Sequence, residues 1–456
     1  MVTESKPSLK LRLTKQDRKT ARPQDNNMTY KQTLDFLFSR LPAYHRIGSA
    51  AYKNNLDNSY ALDSYFGHPH RKYPTIHVAG TNGKGSVSHM IASILQEAGF
   101  RTGLYTSPHL RDFRERIRIN GEMIPKKDVT AFVGKHYGMI EELKPSFFEM
   151  TVAMAFDYFA CANVNIAVIE VGLGGRLDST NIITPVLSVI TNIGHDHMDL
   201  LGNTLGKIAS EKAGIIKHKT PVVIGETQEE TREIFESAAA KNRSLIFFAD
   251  TNIECSIRQP DKLSRERQYH LRNIAEDKTI SGSIPLGGDY QEKNLKTVCQ
   301  AFSILRSEFG LSDENFVAGI RKVIVNTGLQ GRWQILRTKP LVICDTGHNK
   351  EGLEFVTRQL AALNSPKLHM VIGFVSDKDL SLLFPLLPRD AEYYFTRASI
   401  PRALDEKILR SMASESGLYG NCFSSVGKAL DAATRKAGPE DVIFVGGSTF
   451  VVAEVI

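Results

Sequence analysis

The sequence predicts an α/β protein of two domains: a larger N-terminal domain with a mainly parallel sheet and a phosphate-binding loop, and a smaller C-terminal Rossmann-like domain. Three observations support this prediction. Apolar runs of strand length alternate with segments of helical period along the chain. A glycine-rich loop that ends on Lys84 joins the first of these runs to a helix. The alternation breaks at residues 326–331, in Asn-Thr-Gly-Leu-Gln-Gly, and then resumes.

These patterns divide the chain into four parts. We expect a basic disordered extension over residues 1–27, the N-terminal domain over 28–327, a hinge over 328–332 and the C-terminal domain over 333–456. The N-terminal strands are expected at residues 74–79, 101–105, 166–171, 186–191, 221–225 and 245–249, and an amphipathic helix at 87–98. The second series of strands is expected at 341–345, 369–374, 392–396 and 442–445.

Composition excludes several classes of protein. With 456 residues and 42% hydrophobic content the chain can bury more than one core. No apolar run is long enough to span a membrane, and the N-terminus lacks the apolar core of a secretory signal, so we expect a cytoplasmic protein without a membrane partner. The five cysteines are widely spaced without a C-x-x-C pair, which predicts reduced structural thiols.

The net charge of +7 is uneven, because residues 1–27 hold seven basic and three acidic residues. This segment lacks interleaved aromatic residues and nucleic-acid motifs, so we predict a disordered extension and no nucleic-acid partner. An ATP-operated switch or RNA-binding regulator that uses this extension is the alternative from a different class. Deletion of residues 1–27 without loss of activity would exclude it.

The glycine-rich loop is the strongest local motif. Gly80, Gly83 and Gly85 allow φ > 0 and close approach of the backbone to an anion, so that successive N–H groups point at phosphate oxygens. Lys84 adds a positive charge for the β- and γ-phosphates. The generic pattern G-x-x-x-x-G-K-[ST] is only partly met, because Gly85 separates Lys84 from Ser86.

A nucleotide loop requires a metal, and acidic and imidazole groups follow two later strands. Glu170 closes a strand of Ile and Val, where a lone carboxylate is costly unless a cation compensates it. A salt bridge to Arg176 is the alternative. His195, Asp196 and His197 follow the next strand; without a suitably spaced third ligand a closed zinc site is not expected, and one histidine could join Mg²⁺ or be purely structural.

The loop Gly80-Thr-Asn-Gly-Lys-Gly-Ser86 resembles the nucleotide loop of the Mur ligase family of ATP-dependent amide-forming enzymes, in particular its folylpolyglutamate and dihydrofolate synthase branch. From about Ile47 to the C-terminus further motifs follow in the order typical of that branch. They are Thr106-Ser-Pro-His-Leu110 with Glu115-Arg-Ile117, the Glu170 to Asn181 run, Asp196-His-Met-Asp-Leu-Leu-Gly202 and Ile208-Ala-Ser-Glu-Lys-Ala-Gly-Ile-Ile216.

The resemblance implies a P-loop ATPase domain that binds ATP and one or two Mg²⁺ ions. It implies metal ligands at Ser107, Glu170 and His197, a carbamylated Lys212, and catalytic roles for Lys84, Lys212, Arg332 and His348. ATP would contact Asn82, Gly83, Lys84, Gly85 and Ser86, with Asn294 at the adenine and Arg332 and Asp345 at phosphate and ribose. Without the motif, Lys212 would be taken for an exposed helical lysine paired with Glu211, and Arg332 for a solvated linker residue.

The same resemblance implies L-glutamate addition to dihydropteroate, to the γ-carboxylate of (tetrahydro)folate, or to both, through an acyl phosphate. The pterin contacts would be Ser146, Phe147, Phe148, Glu149, Leu177, Asp178 and Ser179, with Ile47 and Gly48 nearby; Arg116, His348 and Ser448 would lie near the glutamate. Phe147 or Phe148 could instead be core. We expect a monomer with small-molecule substrates. A muramyl ligase acting on a UDP-linked substrate is the alternative, against which the run Ser107-Pro-His-Leu110 argues.

Overall fold

The computed structural model describes residues 28–42, 55–258 and 266–456. The extension over residues 1–27, together with Ile47 and Gly48, therefore lies outside the described residues. The described chain begins at Met28, and the first helix, α1, is capped by Thr29, whose side chain accepts from Gln32 N.

The N-terminal part holds three sets of elements. The helices are α1 (Tyr30–Arg40), α2 (Asp57–Tyr65), α3 (Lys84–Glu97), α4 (Lys126–Lys135), α5 (Tyr137–Leu143), α6 (Phe147–Cys161), α7 (Met198–Leu201), α8 (Leu205–Ala213), α9 (Glu229–Asn242), α10 (Ala249–Asn252), α11 (Gln291–Phe309), α12 (Asp313–Arg321) and α13 (Val323–Thr327). The main-sheet strands are β1 (Thr75–Ala79), β2 (Thr102–Tyr105), β3 (Ile117–Ile119), β4 (Glu122–Met123), β5 (Ile166–Glu170), β6 (Leu187–Ile190), β7 (Val222–Ile224) and β8 (Ile246–Phe248). A second sheet contains β9 (Ile253–Arg258), β10 (Arg267–Asn273) and β11 (Lys278–Ile284).

The main sheet has the strand order β4-β3-β2-β5-β1-β6-β7-β8. From β2 to β8 neighbouring strands are parallel, whereas β3 and β4 pair antiparallel. β1 lies between β5 and β6, with Val78 opposite Glu170 and Ala79 opposite Ile190. The phosphate loop after Ala79 and the carboxylate of Glu170 therefore meet at one edge of the sheet.

All six strands predicted for this domain are present, but the helix after the loop differs from the prediction. Ten successive residues of α3, from Ser86 to Leu95, are buried, so it has no solvated face over this stretch. The helix packs between the main sheet and α12, and Ser93 Oγ donates to Gly319 O at 2.6 Å. The helix was predicted to be amphipathic because Ser and Ala residues alternate with its apolar residues, but these small residues are buried as well.

The three-stranded antiparallel sheet was not predicted. Its central strand, β10, buries every second residue, with Arg267, Tyr269, Leu271 and Asn273 inward. Two of these four inward residues are polar, so the run does not read as apolar in the sequence. A search for continuous apolar strands overlooks such a segment.

The C-terminal part contains β12 (Gln334–Thr338), β13 (Leu341–Cys344), β14 (Leu368–Ile372), β15 (Glu392–Thr396), β16 (Gly420–Phe423), β17 (Val442–Gly446) and helices α14 (Lys350–Ala362), α15 (Glu406–Glu415), α16 (Val426–Lys436) and α17 (Thr449–Ala453). The sheet order is β12-β13-β17-β14-β15-β16. The four predicted strands are parallel, and β12 adds an antiparallel edge that the sequence did not reveal. Leu329 belongs to the core of the first part and Trp333 to the core of the second.

Two other expectations concern thiols and membranes. The five cysteines are free, but only Cys299 and Cys344 are buried, and Cys161 is exposed; the expectation of uniformly structural thiols was wrong for Cys161. Within the described ranges, no helix combines the length and apolarity needed to cross a lipid bilayer.

Candidate active site

The phosphate loop adopts a conformation that requires glycine. Gly80 has φ 146° and Gly83, which precedes α3, has φ 85°. A Cβ at Gly80 would collide with Thr191, and one at Gly83 with the side-chain amide of Asn294. Lys84 Nζ donates to Gly80 O and Thr81 O, both at 3.0 Å, and so closes the loop around its own backbone.

Gly85 lies between two charged groups from distant parts of the sequence. A Cβ at this position would be 3.2 Å from a terminal guanidinium nitrogen of Arg332 and 3.8 Å from Glu170 Oε1. The loop, the carboxylate at the end of β5 and the guanidinium between the two domains thus meet at one point. This juxtaposition is the central geometric feature of the site.

Glu170 is buried and held by the segment that contains Ser107, whose backbone N–H donates to Glu170 Oε2 at 3.1 Å. Burial raises the pKa of Glu170 to about 7, against the opposing effect of Lys84. The alternative partner, Arg176, pairs instead with Glu211 at 2.8 Å. A buried carboxylate with a raised pKa is a position that a cation would stabilise.

His197 immediately precedes α7, has φ 51° and faces the same cavity as Ser107 and Lys84. Burial lowers the pKa of His197 to about 4, and Lys84 acts in the same direction. The imidazole is therefore neutral, as a metal ligand must be. Among the described residues no group of three or more His, Cys, Asp or Glu side chains is arranged around a common metal position.

Lys212 is buried in α8, and its Nζ donates to Gly80 O at 2.8 Å. Burial, together with the charge of Lys84, lowers its pKa to about 7. The alternative of an exposed lysine paired with Glu211 is wrong, because Glu211 is bound to Arg176 and Lys212 is only 4% exposed.

Two of the predicted nucleotide contacts tie the domains together. Asp345 is buried and accepts from Tyr290 OH at 2.6 Å, Trp333 N at 2.7 Å and Gly347 N at 2.7 Å. Arg332 donates to Thr346 Oγ1 at 2.5 Å. In this arrangement Asp345 stabilises the junction of the two domains, and its oxygens are already engaged.

Asn294 and Ser86 are both buried beside the loop. Asn294 Nδ2 donates to Gln291 Oε1 at 2.7 Å, and Gln291 Nε2 lies 3.4 Å from Ser86 Oγ. Gln291 was missed by sequence reasoning. Only the spatial packing of α11 against α3 brings it to the loop.

A cavity of about 300 Å³ opens beside the loop, between the two parts of the chain. Its lining contains the predicted residues Lys84, Ser107, Arg116, Ser146, Phe147, Phe148, Glu149, Leu177, Asp178, Ser179, His197, Lys212, His348 and Ser448. The size suits a drug-sized organic molecule. The structure therefore brings together groups that lie more than 300 positions apart in the sequence.

The two phenylalanines differ in burial. Phe147 is 3% exposed, and its ring packs on Phe38 with centroids 5.0 Å apart. Phe148 is only half-buried, and a Cβ at Gly172 would collide with its ring. Phe147 is mainly core, so Phe148 offers the larger part of its ring to the cavity.

Ser146 and Glu149 form a capping box at the start of α6. Ser146 N donates to Glu149 Oε2 at 2.6 Å, and Glu149 N donates to Ser146 Oγ at 3.2 Å. Asn58 Nδ2 also donates to Glu149 Oε2, at 3.2 Å. The carboxylate is thus oriented by the protein at the cavity wall.

The three residues assigned to glutamate also lie at the cavity. Arg116 is buried, donates from Nε to His109 Nδ1 at 2.8 Å and lies over the Phe147 ring at 5.3 Å. Ser448 caps α17 by accepting from Val451 N at 3.2 Å. His348 Nε2 is 3.4 Å from Asp196 Oδ2.

Asp196 connects the domains and was not assigned a role from the sequence. It binds Lys378 Nζ at 2.5 Å and lies 3.5 Å from Asn349 Nδ2. Burial opposes ionisation, but the hydrogen bond to His348 and the charge of Lys378 hold the pKa of Asp196 well below its usual range. The sequence shows that the run Asp345-Thr-Gly-His-Asn349 follows a strand, as residues of a functional site often do. It does not show that His348 and Asn349 of this run contact Asp196 in the other domain.

Two family models match the chain: the Mur ligase middle domain over residues 78–302, and the Mur ligase glutamate ligase domain over residues 331–449. The chain is 32% identical to the dihydrofolate synthase/folylpolyglutamate synthase of Bacillus subtilis, over 88% of this chain and 94% of that protein.

It is also 33% identical to a probable bifunctional folylpolyglutamate synthase/dihydropteroate synthase of Haloferax volcanii, over 94% of this chain but 50% of that protein. The chain thus spans about half the length of that relative. Among solved structures, Mycobacterium tuberculosis folylpolyglutamate synthase complexed with ADP has a TM-score of 0.83 and 29% identity, covering 93% of this chain and 97% of that chain. A bifunctional folylpolyglutamate synthase/dihydrofolate synthase with Mn, AMPPNP and L-glutamate bound has a TM-score of 0.79 and 27% identity, covering 95% of this chain and 98% of that chain.

Proposed function

Because this chain belongs to the folylpolyglutamate and dihydrofolate synthase branch of the Mur ligase family, it is an ATP-dependent ligase, and we propose that it adds L-glutamate to dihydropteroate and to (tetrahydro)folate. The observation that carries the proposal is the meeting of Gly85, Glu170 and Arg332 at one point beside a cavity large enough for the acid substrate. A structurally similar bifunctional enzyme holds Mn, AMPPNP and L-glutamate.

In the proposed reaction a substrate carboxylate oxygen attacks the γ-phosphorus of ATP, the bond to the β-phosphate bridging oxygen breaks, and ADP leaves. The amine of L-glutamate then attacks the acyl phosphate carbon, loses a proton, and phosphate departs as the amide forms. Charge on the transferred phosphoryl group is compensated by Lys84 and Arg332. No covalent enzyme intermediate is required.

The donor set fits Mg²⁺. Ser107 and Glu170 supply hydroxyl and carboxylate oxygen, which Mg²⁺ prefers, and His197 supplies a neutral imidazole. When bound, Mg²⁺ would withdraw charge from the phosphate oxygens. These three residues would hold it, and a cation at this position would offset the cost of burying the Glu170 carboxylate.

We propose that Lys212 is carbamylated. The lowered pKa leaves much of the amine neutral near pH 7, which reaction with CO₂ requires. The neutral amine nitrogen bonds to the CO₂ carbon and releases one proton, so that a neutral amine beside Lys84 becomes a carbamate anion. Its contact with Gly80 O places this group at the phosphate loop.

For substrates, Phe148, Leu177, Asp178 and Ser179 would contact the pterin together with Phe147, Ser146 and Glu149. The incoming glutamate would lie near Arg116, His348 and Ser448, where cationic and hydroxyl groups suit its carboxylates. Asn82, Gly83, Ser86 and Asn294 would hold the nucleotide at the loop, with Asp345 towards the ribose.

Residues 328–332 would act as a hinge between the two domains. We expect the enzyme to work as a monomer in the cytoplasm.

A phosphate-release assay tests the proposal. ATP and L-glutamate are offered with dihydropteroate, tetrahydrofolate or a UDP-muramyl peptide, and a Lys84→Met variant serves as the inactive control. Release with dihydropteroate and tetrahydrofolate, but not with the muramyl peptide, is the expected result. Release with only the muramyl peptide would contradict the proposal and favour a cell-wall ligase.

A further inference from the structure

A row of three buried polar side chains runs from the middle of β1 to the cavity wall. His77 Nε2 lies 2.9 Å from Thr180 Oγ1, and Thr180 Oγ1 lies 2.5 Å from Asp178 Oδ1. Their exposed fractions are 0%, 0% and 3%. Asp178 borders the cavity, whereas neither His77 nor Thr180 does.

The direction of these hydrogen bonds follows from the donors around Asp178. Burial raises the pKa of Asp178, but its carboxylate accepts from Leu173 N at 2.8 Å and from Thr180 N at 3.0 Å, and these two hydrogen bonds favour the ionised form. An ionised carboxylate only accepts, so the Thr180 hydroxyl donates its proton to Asp178. The Thr180 oxygen is then the acceptor for His77, whose proton lies on Nε2.

His77 occupies a position where an aliphatic residue would be less costly. It stands between Ile76 and Val78 in a central strand, and its Nδ1 has no hydrogen-bond partner among the described residues. Burial lowers its pKa to about 3, so the ring stays neutral and Nδ1 is a bare acceptor. An unpaired buried polar atom is unfavourable. The hydrogen bond to Thr180 connects this ring to the site.

We propose that His77 is a positioning residue that acts through Thr180 to hold the Asp178 carboxylate in the orientation the pterin substrate requires. This inference rests on the proposed function, because it assumes that the pterin occupies the cavity. A pterin presents N–H donors in the plane of its ring, so a carboxylate that receives them must have a fixed plane. Because β1 also carries the phosphate loop, the same strand supports both substrate pockets.

Two matched pairs of variants test the relay. His77→Phe keeps a ring of similar size but removes the donor, whereas His77→Gln keeps an N–H. Thr180→Val keeps the branched shape but removes the hydroxyl, whereas Thr180→Ser keeps it. We expect Thr180→Val to raise the KM and the Kd for dihydropteroate about tenfold, because it removes one hydrogen bond to a charged group. His77→Phe should have a similar effect, because it removes the bond that orients the Thr180 hydroxyl. The KM for ATP should stay within about twofold, and the Gln and Ser variants should restore most of the pterin affinity.

A double-mutant cycle distinguishes a relay from two separate packing effects. If His77 acts through Thr180, His77→Phe should add almost nothing to the pterin Kd in the Thr180→Val background. Multiplicative losses in the double variant would overturn the proposal. Ser188→Ala is the control, because Ser188 is opposite His77 in β6, is equally buried and donates to Ile215 O at 2.9 Å without contact to Asp178. It should lower thermal stability and leave the pterin Kd unchanged.

The wild-type protein separates the two possible failures. Absence of pterin binding and of pterin-dependent phosphate release in the wild type refutes the proposed function. Pterin binding in the wild type, together with unchanged Kd in Thr180→Val, refutes the relay alone. If His77→Phe does not fold, the contrast between Thr180→Val, which lacks the hydroxyl, and Thr180→Ser, which keeps it, decides.

Discussion

The side-chain amides of Asn82 and Asn349 form a reciprocal pair across the two domains. Asn82 Nδ2 donates to Asn349 Oδ1 at 3.2 Å, and Asn349 Nδ2 donates to Asn82 Oδ1 at 3.0 Å. Asn349 Oδ1 also accepts from Gly352 N at 2.9 Å and caps α14. One side chain thus links the phosphate loop to the first turn of a helix in the C-terminal domain.

Substitutions of Asn349 should separate its contribution to the phosphate loop, through the amide pair with Asn82, from its contribution to stability as the cap of α14. Asn349→Ser retains the helix cap but loses the amide pair, so kcat/KM for ATP should fall about tenfold with little change in Tm. Asn349→Ala also loses the cap and should cost about 1 kcal/mol of stability. Steady-state kinetics and thermal unfolding measure the two effects.

Ser425 provides the control for the cap. Its Oγ accepts from Lys428 N at 3.4 Å and caps α16. Ser425→Ala should lower Tm without changing the KM for ATP. Wild-type kinetics in Asn349→Ser would mean that the amide pair has no part in nucleotide binding.

The site was predictable where it depends on strand ends. Glu170 and the loop after Ala79 follow neighbouring parallel strands, and parallel topology brings such ends to one edge. Asp196 and its partners Lys378 and Asn349 were not predictable, because their contact depends on how two domains are oriented. The spacing of residues in the sequence does not indicate how the two domains are oriented.

The roles of buried polar residues were also hard to infer. His77 was seen only as part of an apolar strand, because a histidine within such a run gives no indication of its hydrogen-bond partner. β10 was missed for a related reason: its inward face includes Arg267, which donates to Gly287 O at 3.0 Å and to Asp289 at 2.8 Å. Partners distant in sequence make polar residues compatible with burial.

Glu170→Gln should separate metal binding from folding. The substitution removes a buried charge with almost no change in shape, so Tm without metal should be equal to or higher than that of the wild type. Turnover should fall at least about a hundredfold, because an electrostatic contact in the phosphoryl-transfer site is lost. The extra Tm that Mg²⁺ adds in the presence of a non-hydrolysable ATP analogue should disappear.

Glu97→Gln is the matched control for this experiment. Glu97 ends α3 and pairs with Lys322 at 2.8 Å, at the protein surface. Its substitution should leave the metal-dependent Tm increase intact. If Glu170→Gln keeps that increase as well, Glu170 is not a metal ligand.

The two adjacent phenylalanines should respond differently to truncation. Phe147→Ala opens a cavity in the core beside Phe38, and should cost about 3–5 kcal/mol of unfolding free energy. Phe148→Ala should cost less stability, because the ring is only half-buried, but should raise the KM for dihydropteroate. Chemical denaturation and kinetics on both variants measure this contrast, and the reverse order would contradict the assignment of Phe148 to the pterin.

The buried Lys212 predicts a specific pH dependence of stability. Its pKa falls from 10.5 to about 7 on burial, so between these values the unfolded chain holds more protons than the folded one. Stability therefore rises with pH across this window, by up to about 1.4 kcal/mol per pH unit from this group. In CO₂-free buffer, Lys212→Met should be more stable than the wild type at pH 7, and the difference should shrink as the pH approaches 10.

Added bicarbonate tests whether the Lys212 amine is carbamylated. Carbamylation consumes the neutral form, so bicarbonate should raise the wild-type turnover and the wild-type Tm near pH 8, while Lys212→Met should respond in neither. Lys212→Arg cannot lose its proton in this range, so it should be both less stable and inactive. A constant stability difference between wild type and Lys212→Met from pH 7 to 10 would show that the lysine is not held neutral by burial, and carbamylation would then lack its physical basis.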